Sequence, residues 1–136
     1  MTDADHADLY EEAVALLEPG EVTLEGAVVH TDIPQSDEPA MNEATRRIGD
    51  AIAGAVTAAE TYVYAGEDDP RFAAGQFQGR RLEDDEFVWE CQQLLRDGHF
   101  DLVFYWKATD DHAAVVGEIA DLEYEVVAVS EDGYTA

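Results

Sequence analysis

Apolar residues recur along the chain in two rhythms, a step of three or four and a step of two, and each change of rhythm marks an element boundary. Leu9, Ala13, Leu16 and Leu17 keep helical spacing over residues 5–17, and Pro19-Gly20 stops the run. Residues 21–31 alternate as a strand, with Val22, Leu24, Gly26 and Val28 on one face; Gly26 in mid-strand marks a bulge or a close backbone approach. After the turn-rich stretch 32–39, Ser36 or Asp37 caps a long helix with Pro39 in its first turn. Met41, Ala44, Ile48, Ile52, Ala55 and Ala59 form its apolar stripe. Thr61-Tyr-Val-Tyr64 reads as a short β-branched and aromatic strand.

The second half continues the alternation. Residues 66–82 have no period and read as a long loop, a feature uncommon in a compact domain and usually functional or mobile. Phe87, Val88, Cys91, Leu94 and Leu95 then step as a third helix, capped by Asp84 or Asp85 and closed by Gly98. Phe100 to Lys107 alternates as the strongest strand. A fourth helix runs from Thr109 or Asp110 to about Asp121, and Tyr124 to Val129 forms the last strand before a short polar tail from Ser130.

The order α-β-α-β-α-β-α-β within 136 residues predicts one domain, 1–136, of the α+β class. Two architectures fit. One is a two-layer ferredoxin-like sheet, with the first helix added and the third joining the halves. The alternative is a small open parallel α/β sheet. Asp101, Lys107 and Glu125 interrupt the strands, whereas buried parallel strands are continuous apolar runs, so the two-layer version is preferred. It leaves one sheet face uncovered.

Charge narrows the function classes. The chain carries 32 Asp or Glu against 7 Lys or Arg, a net charge of -25. Phosphate-coated surfaces repel such a polyanion, which argues against nucleic acid and anionic membranes as partners. Raising salt shortens the Debye length from about 10 Å at 0.1 M to about 3 Å at 1 M and relieves the self-repulsion. The acids are dispersed, Ala is abundant and Lys107 is the sole lysine, a composition suited to a salt-rich cytosol. The N-terminus lacks the basic and apolar regions of a secretory signal, no apolar run is long enough to span a bilayer, and the single Cys91 precludes an internal disulfide.

No strong motif of phosphate binding, zinc hydrolysis, thiol redox chemistry or serine nucleophile is present, so no metal and no cofactor are expected. Cys91 falls on an apolar stripe beside Glu86 and Glu90, the setting of an inert thiol. His30-Thr31-Asp32 at a strand end holds a base and an acid, and reads otherwise as a turn. His99 lies between Asp97 and Asp101 at a helix end, which already accounts for a cationic imidazole. The 66–82 loop concentrates Arg71, Arg80 and Arg81, with Phe72 and Phe77 among them. These arginines, with His30, are the candidate binding residues for a small anionic ligand. The same arginines can instead neutralise Glu67-Asp-Asp69 and Glu83-Asp-Asp-Glu86 on either side.

Phe104-Tyr105-Trp106 has the form of a base-stacking strand but lacks basic surroundings, so core and interface packing is the better reading. Val103 and Tyr105 on the uncovered sheet face, with Phe72 and Phe77, are the candidate interface residues of a homodimer.

Glu83-Asp-Asp-Glu-Phe-Val-Trp-Glu-Cys-Gln-Gln-Leu-Leu95, Phe100-Asp-Leu-Val-Phe-Tyr-Trp106 and Gly26-Ala-Val-Val-His-Thr-Asp32 resemble a family of small uncharacterised haloarchaeal proteins. The resemblance implies a haloarchaeal cytosol and no known activity, and carries over no catalytic or binding residue. The expectation is therefore a non-enzymatic interaction or regulatory module acting as a homodimer. The alternative is a small-molecule enzyme or binding domain whose Arg-containing loop holds an anion.

Overall fold

A computed structural model describes residues 3–17, 23–57, 62–64, 76–81, 87–96, 98–108, 112–130 and 133–135. Helix α1 spans Asp3–Leu16, strand β1 Leu24–Pro34 and helix α2 Glu38–Thr57. Four strands follow, β2 Tyr62–Tyr64, β3 Gln76–Arg81, β4 Phe87–Arg96 and β5 His99–Lys107. Helix α3 covers His112–Ala120, and β6 Glu125–Ser130 and β7 Gly133–Thr135 complete the chain. The seven strands form one sheet in the order β2-β3-β4-β5-β1-β6-β7. Every described pair is antiparallel.

The α+β class is as expected, but the arrangement departs from both versions read from the pattern. The third helix is strand β4. Its register against β5 runs from Trp89↔Trp106 to Arg96↔His99, so the two strands form a hairpin whose turn includes Gly98. Gly98 has φ 88°, the left-handed region that such a turn demands. Read as a helix C-cap, this glycine in fact closes a hairpin. With no joining helix and no parallel neighbours among the described strands, neither the crossed βαβ halves nor the open parallel sheet is formed.

Both faces of the central strands are covered. On one face α2 and α3 pack Met41, Ile48, Ile52, Val115 and Ile119 against Ala27, Val29, Trp89, Cys91, Leu102, Phe104 and Trp106. On the other face α1 sets Leu9, Tyr10, Ala13 and Leu17 against Val28, Val103, Tyr105, Val127 and Val129. This double burial explains why Leu102 to Trp106 is apolar without a break, for every side chain in the run meets a helix. The N-terminal helix, expected as an addition, is thus the second cover of the sheet. Val103 and Tyr105, expected on an open face, are 1% and 8% exposed beneath it.

Local chemistry positions these layers. Asp37 caps α2 by accepting a hydrogen bond from the Ala40 N–H at 3.2 Å, as the turn before it implied. Gly49 lets α2 lie directly on Trp89, because a Cβ there would collide with the indole atoms Cζ2 and Cε2. Gly26 is a close approach of the same kind: a Cβ would run into the Phe104 carbonyl oxygen.

Candidate functional site

A polar cluster sits where α1 crosses the ends of β1 and β5. His30 and Asp101 are direct cross-strand partners, and each lies in phase with apolar residues of the α1-facing side, Val28 on β1 and Val103 on β5. Asp101 is fully buried, and its Oδ1 receives both imidazoles, His30 Nδ1 at 3.2 Å and His99 Nε2 at 3.4 Å. With Nδ1–H of a neutral His30 donating to Asp101, Nε2 is left as acceptor for the Tyr10 hydroxyl at 2.8 Å. The protonated imidazole fits equally well, since Nε2–H then donates to the Tyr10 oxygen. The Tyr10 ring meets His30 edge-on at 5.7 Å and packs against Tyr134 of β7 at 4.8 Å.

The backbone beside the cluster is locked as well. Thr31 Oγ1 donates to the Phe100 carbonyl at 2.5 Å and accepts from the Ile33 N–H at 3.2 Å. This crossing bond sits at the register shift between His30 and Pro34, where β1 carries extra residues against β5 before pairing resumes at Pro34↔His99. The result is a carboxylate, an imidazole and a hydroxyl in line, an order that aligns a base and its proton. Here, however, the hydroxyl is supplied by the protein: Tyr10 is 3% exposed and the His30 side chain 8%, so the line is closed by α1.

At the opposite end of β1, His112 Nδ1 stands 2.8 Å from Glu25 Oε2, off the hydrogen-bonding direction. The imidazole also lies 5.6 Å, ring to ring, from Trp106. Beneath α2, Gln93 Nε2 donates to Asn42 Oδ1 at 3.2 Å and to Thr45 Oγ1 at 2.9 Å, and the Thr45 hydroxyl donates to the Met41 carbonyl at 3.0 Å. Cys91 is buried beside this polar group. Burial pushes its thiol well above the ordinary value of 9.0, the Glu90 charge adds to that, and a contact with Thr45 opposes it. The thiol is therefore neutral and enclosed, as its stripe position implied. Among the described residues no group of three or more His, Cys, Asp or Glu is placed to hold a metal ion.

The sequence candidates divide between two regions. His30 and His99 come together at Asp101, although neither their separation in sequence nor the His30-Thr31-Asp32 motif announced it. Tyr10 and Asp101 were missed as members; the available signal was a polar residue in phase with Val103 and Tyr105 on an otherwise apolar strand. Arg80 and Arg81 lie on β3, opposite Phe87 of β4 and Tyr62 of β2 respectively, so this part of the expected loop is a strand. Phe77 is on the same strand, opposite Cys91. Arg71 and Phe72 fall outside the described residues. His30 and Arg80 are separated by three strand spacings and seven residues along the sheet, roughly 25 Å, so they do not share a site.

These features define a class: an α+β protein with one antiparallel sheet, helices on both faces and a closed Tyr-His-Asp cluster between them. The chain belongs to the family of unknown function DUF5778, which it matches over residues 5–130. Comparison with curated proteins and with solved structures gives no match. No helix among the described residues is long and apolar enough to cross a membrane.

Proposed function

We propose that this protein is a non-enzymatic interaction module of a salt-rich, haloarchaeal cytosol, acting as a homodimer. The observation that carries the reading is the closure of the Tyr10-His30-Asp101 line. Its hydroxyl and imidazole are spent on fastening α1 to the sheet, with Tyr10 3% and the His30 side chain 8% exposed. The enclosed Cys91 thiol adds to this, since the group best suited to nucleophilic attack is held protonated and out of reach. The dispersed acids, 32 in 136 residues, support the solvent assignment, because molar salt removes their mutual repulsion.

Light scattering at micromolar concentration in molar potassium chloride tests the assembly, with a dimer as the expected mass. A monomer throughout that range sinks the homodimer. A second reading, a small-molecule enzyme or binding domain, is favoured by the carboxylate-imidazole-hydroxyl order itself. On that reading His30 acts without the arginines of β3, and α1 has to move to admit a substrate. Tyr10→Phe separates the two: the module loses stability only, whereas the enzyme loses turnover in proportion to the hydroxyl's part in proton transfer.

A further inference from the structure

We infer that helix α1 is a salt-set cover of the sheet: closed at molar ionic strength, it leaves the strands ahead of the rest of the fold as ionic strength falls. The inference goes beyond the homodimer reading and holds for one copy or two. It starts from a difference between the helices on the two faces. Helix α1 carries five acids in 14 residues, Asp3, Asp5, Asp8, Glu11 and Glu12, and no Lys or Arg. Helix α2 carries three acids in 20 residues, offset by Arg46 and Arg47, and α3 adds only Glu118.

The charge on α1 is also crowded. Asp8, Glu11 and Glu12 are exposed on neighbouring turns. Residues three or four apart on a helix have Cβ atoms about 5–6 Å apart, so Asp8 meets both glutamates at that range. A Debye length of about 10 Å at 0.1 M leaves this repulsion in force, whereas one of about 3 Å at 1 M cuts it off. The sheet gives little relief. Strands β1, β6 and β7 carry no Lys or Arg, and β6 sets the exposed Glu125 opposite His30. On that side β5 adds Lys107, two positions beyond Tyr105.

Against this repulsion stand few fasteners. Leu9, Tyr10, Ala13 and Leu17 are buried on the strands, and the Tyr10 hydroxyl bonds His30. The main contacts of α1 are with β1, β6 and β7, whereas α2 packs against α3 as well as the sheet. Off the sheet, a helix of this length is marginal in water, so the released segment loses its amide hydrogen bonds too. Release uncovers the His30 imidazole and the apolar face of Val28, Val103, Tyr105, Val127 and Val129. Falling salt is thereby converted into exposure of an imidazole and an apolar surface, while α2, α3 and the strands beneath them stay folded.

Hydrogen–deuterium exchange on the full chain tests the inference, with the fluorescence of an uncharged apolar dye read in parallel. Between molar and about 0.1 M potassium chloride, amide exchange in α1 is expected to quicken more than about tenfold, that in α2 less than about threefold, and dye fluorescence to rise. Equal change in the two helices, whether both are lost or both hold, overturns the inference. Asp8→Asn with Glu11→Gln keeps side-chain size and removes two charges, and is expected to shrink the α1 response at least about threefold. An unchanged response in that variant shows salt acting on apolar burial and not through these charges, which also overturns the inference. The homodimer is judged separately, by its mass in light scattering, so neither result decides the other.

Discussion

The centre of the sheet and strand β4 share the same antiparallel pairing and differ in what lies over them. Strands β1 and β5 are packed between α1 on one face and α2 on the other, and their side chains from Ala27 to Val29 and from Asp101 to Trp106 are buried. On β4 the α2 side is closed at Trp89 and Cys91, which are fully buried, and opens at Leu95, which is exposed. Its α1 side is not: Glu90, Gln92 and Leu94, cross-strand from Tyr105, Val103 and Asp101, are only partly buried. The composition follows the cover. Apolar residues occupy both faces in the centre, whereas the α1 side of β4 carries the polar Glu90 and Gln92. A helix of finite width covers about the strands it crosses, and the strands beyond its edge keep polar side chains that solvent or a partner can satisfy.

This contrast sets the order of expected mutational effects. Phe104→Ala at the centre should cost about 3–5 kcal/mol in urea unfolding, while Gln92→Ala on β4 should stay within about 0.5 kcal/mol. Equal losses at the two positions would mean that the β4 face is as tightly packed as the centre. Gly49→Leu drives a side chain into the Trp89 indole and is expected to destabilise by about 1–3 kcal/mol, with a change in tryptophan fluorescence. Tyr10→Phe keeps the ring on Tyr134 but removes the bond to His30, for an expected loss of about 1 kcal/mol and faster amide exchange in α1 than in α2. Uniform exchange across both helices would show that the hydroxyl does not fasten α1.

The smallest effect concerns Cys91 and appears only in alkali. Its folded-state thiol is held above the ordinary 9.0, so folded protein retains a proton that the unfolded chain releases. The contribution is complete below pH 9.0 and is lost as pH rises from there through the folded value. Stability should therefore fall more steeply above pH 9.0 for wild type than for Cys91→Val, and parallel curves would contradict the assignment. In native conditions the thiol should resist alkylation until the protein opens.

How far the pattern carries depends on whether an element's partners are local. Helix α2 was legible because Met41, Ala44, Ile48 and Ile52 hold a single period and Asp37 supplies the cap from its own turn. Ala55, placed on the same stripe, is exposed, since the helix has by then passed the strands it covers. Strand β4 was misread because Phe87, Val88, Cys91, Leu94 and Leu95 fit a helical step, while Trp89, which the helical stripe left out, is fully buried against Phe104. The decisive signal was the Asp97-Gly98 dipeptide between two apolar runs, which specifies a hairpin through backbone geometry alone. The candidate site was less legible still, since Tyr10, His30, His99 and Asp101 meet only through the crossing of three elements.

By itself the sequence determined the α+β class, the long second helix, the apolar central strand, the inert cysteine and the acidic surface. Each of these follows from the spacing, caps and solvation of residues that are neighbours along the chain. The tertiary structure decided the antiparallel order of the sheet, the position of α1 over Val103 and Tyr105, and the closing of the Tyr10-His30-Asp101 line. Those are matters of which distant surfaces are buried against each other, and a periodic pattern records that a face is apolar without recording what covers it.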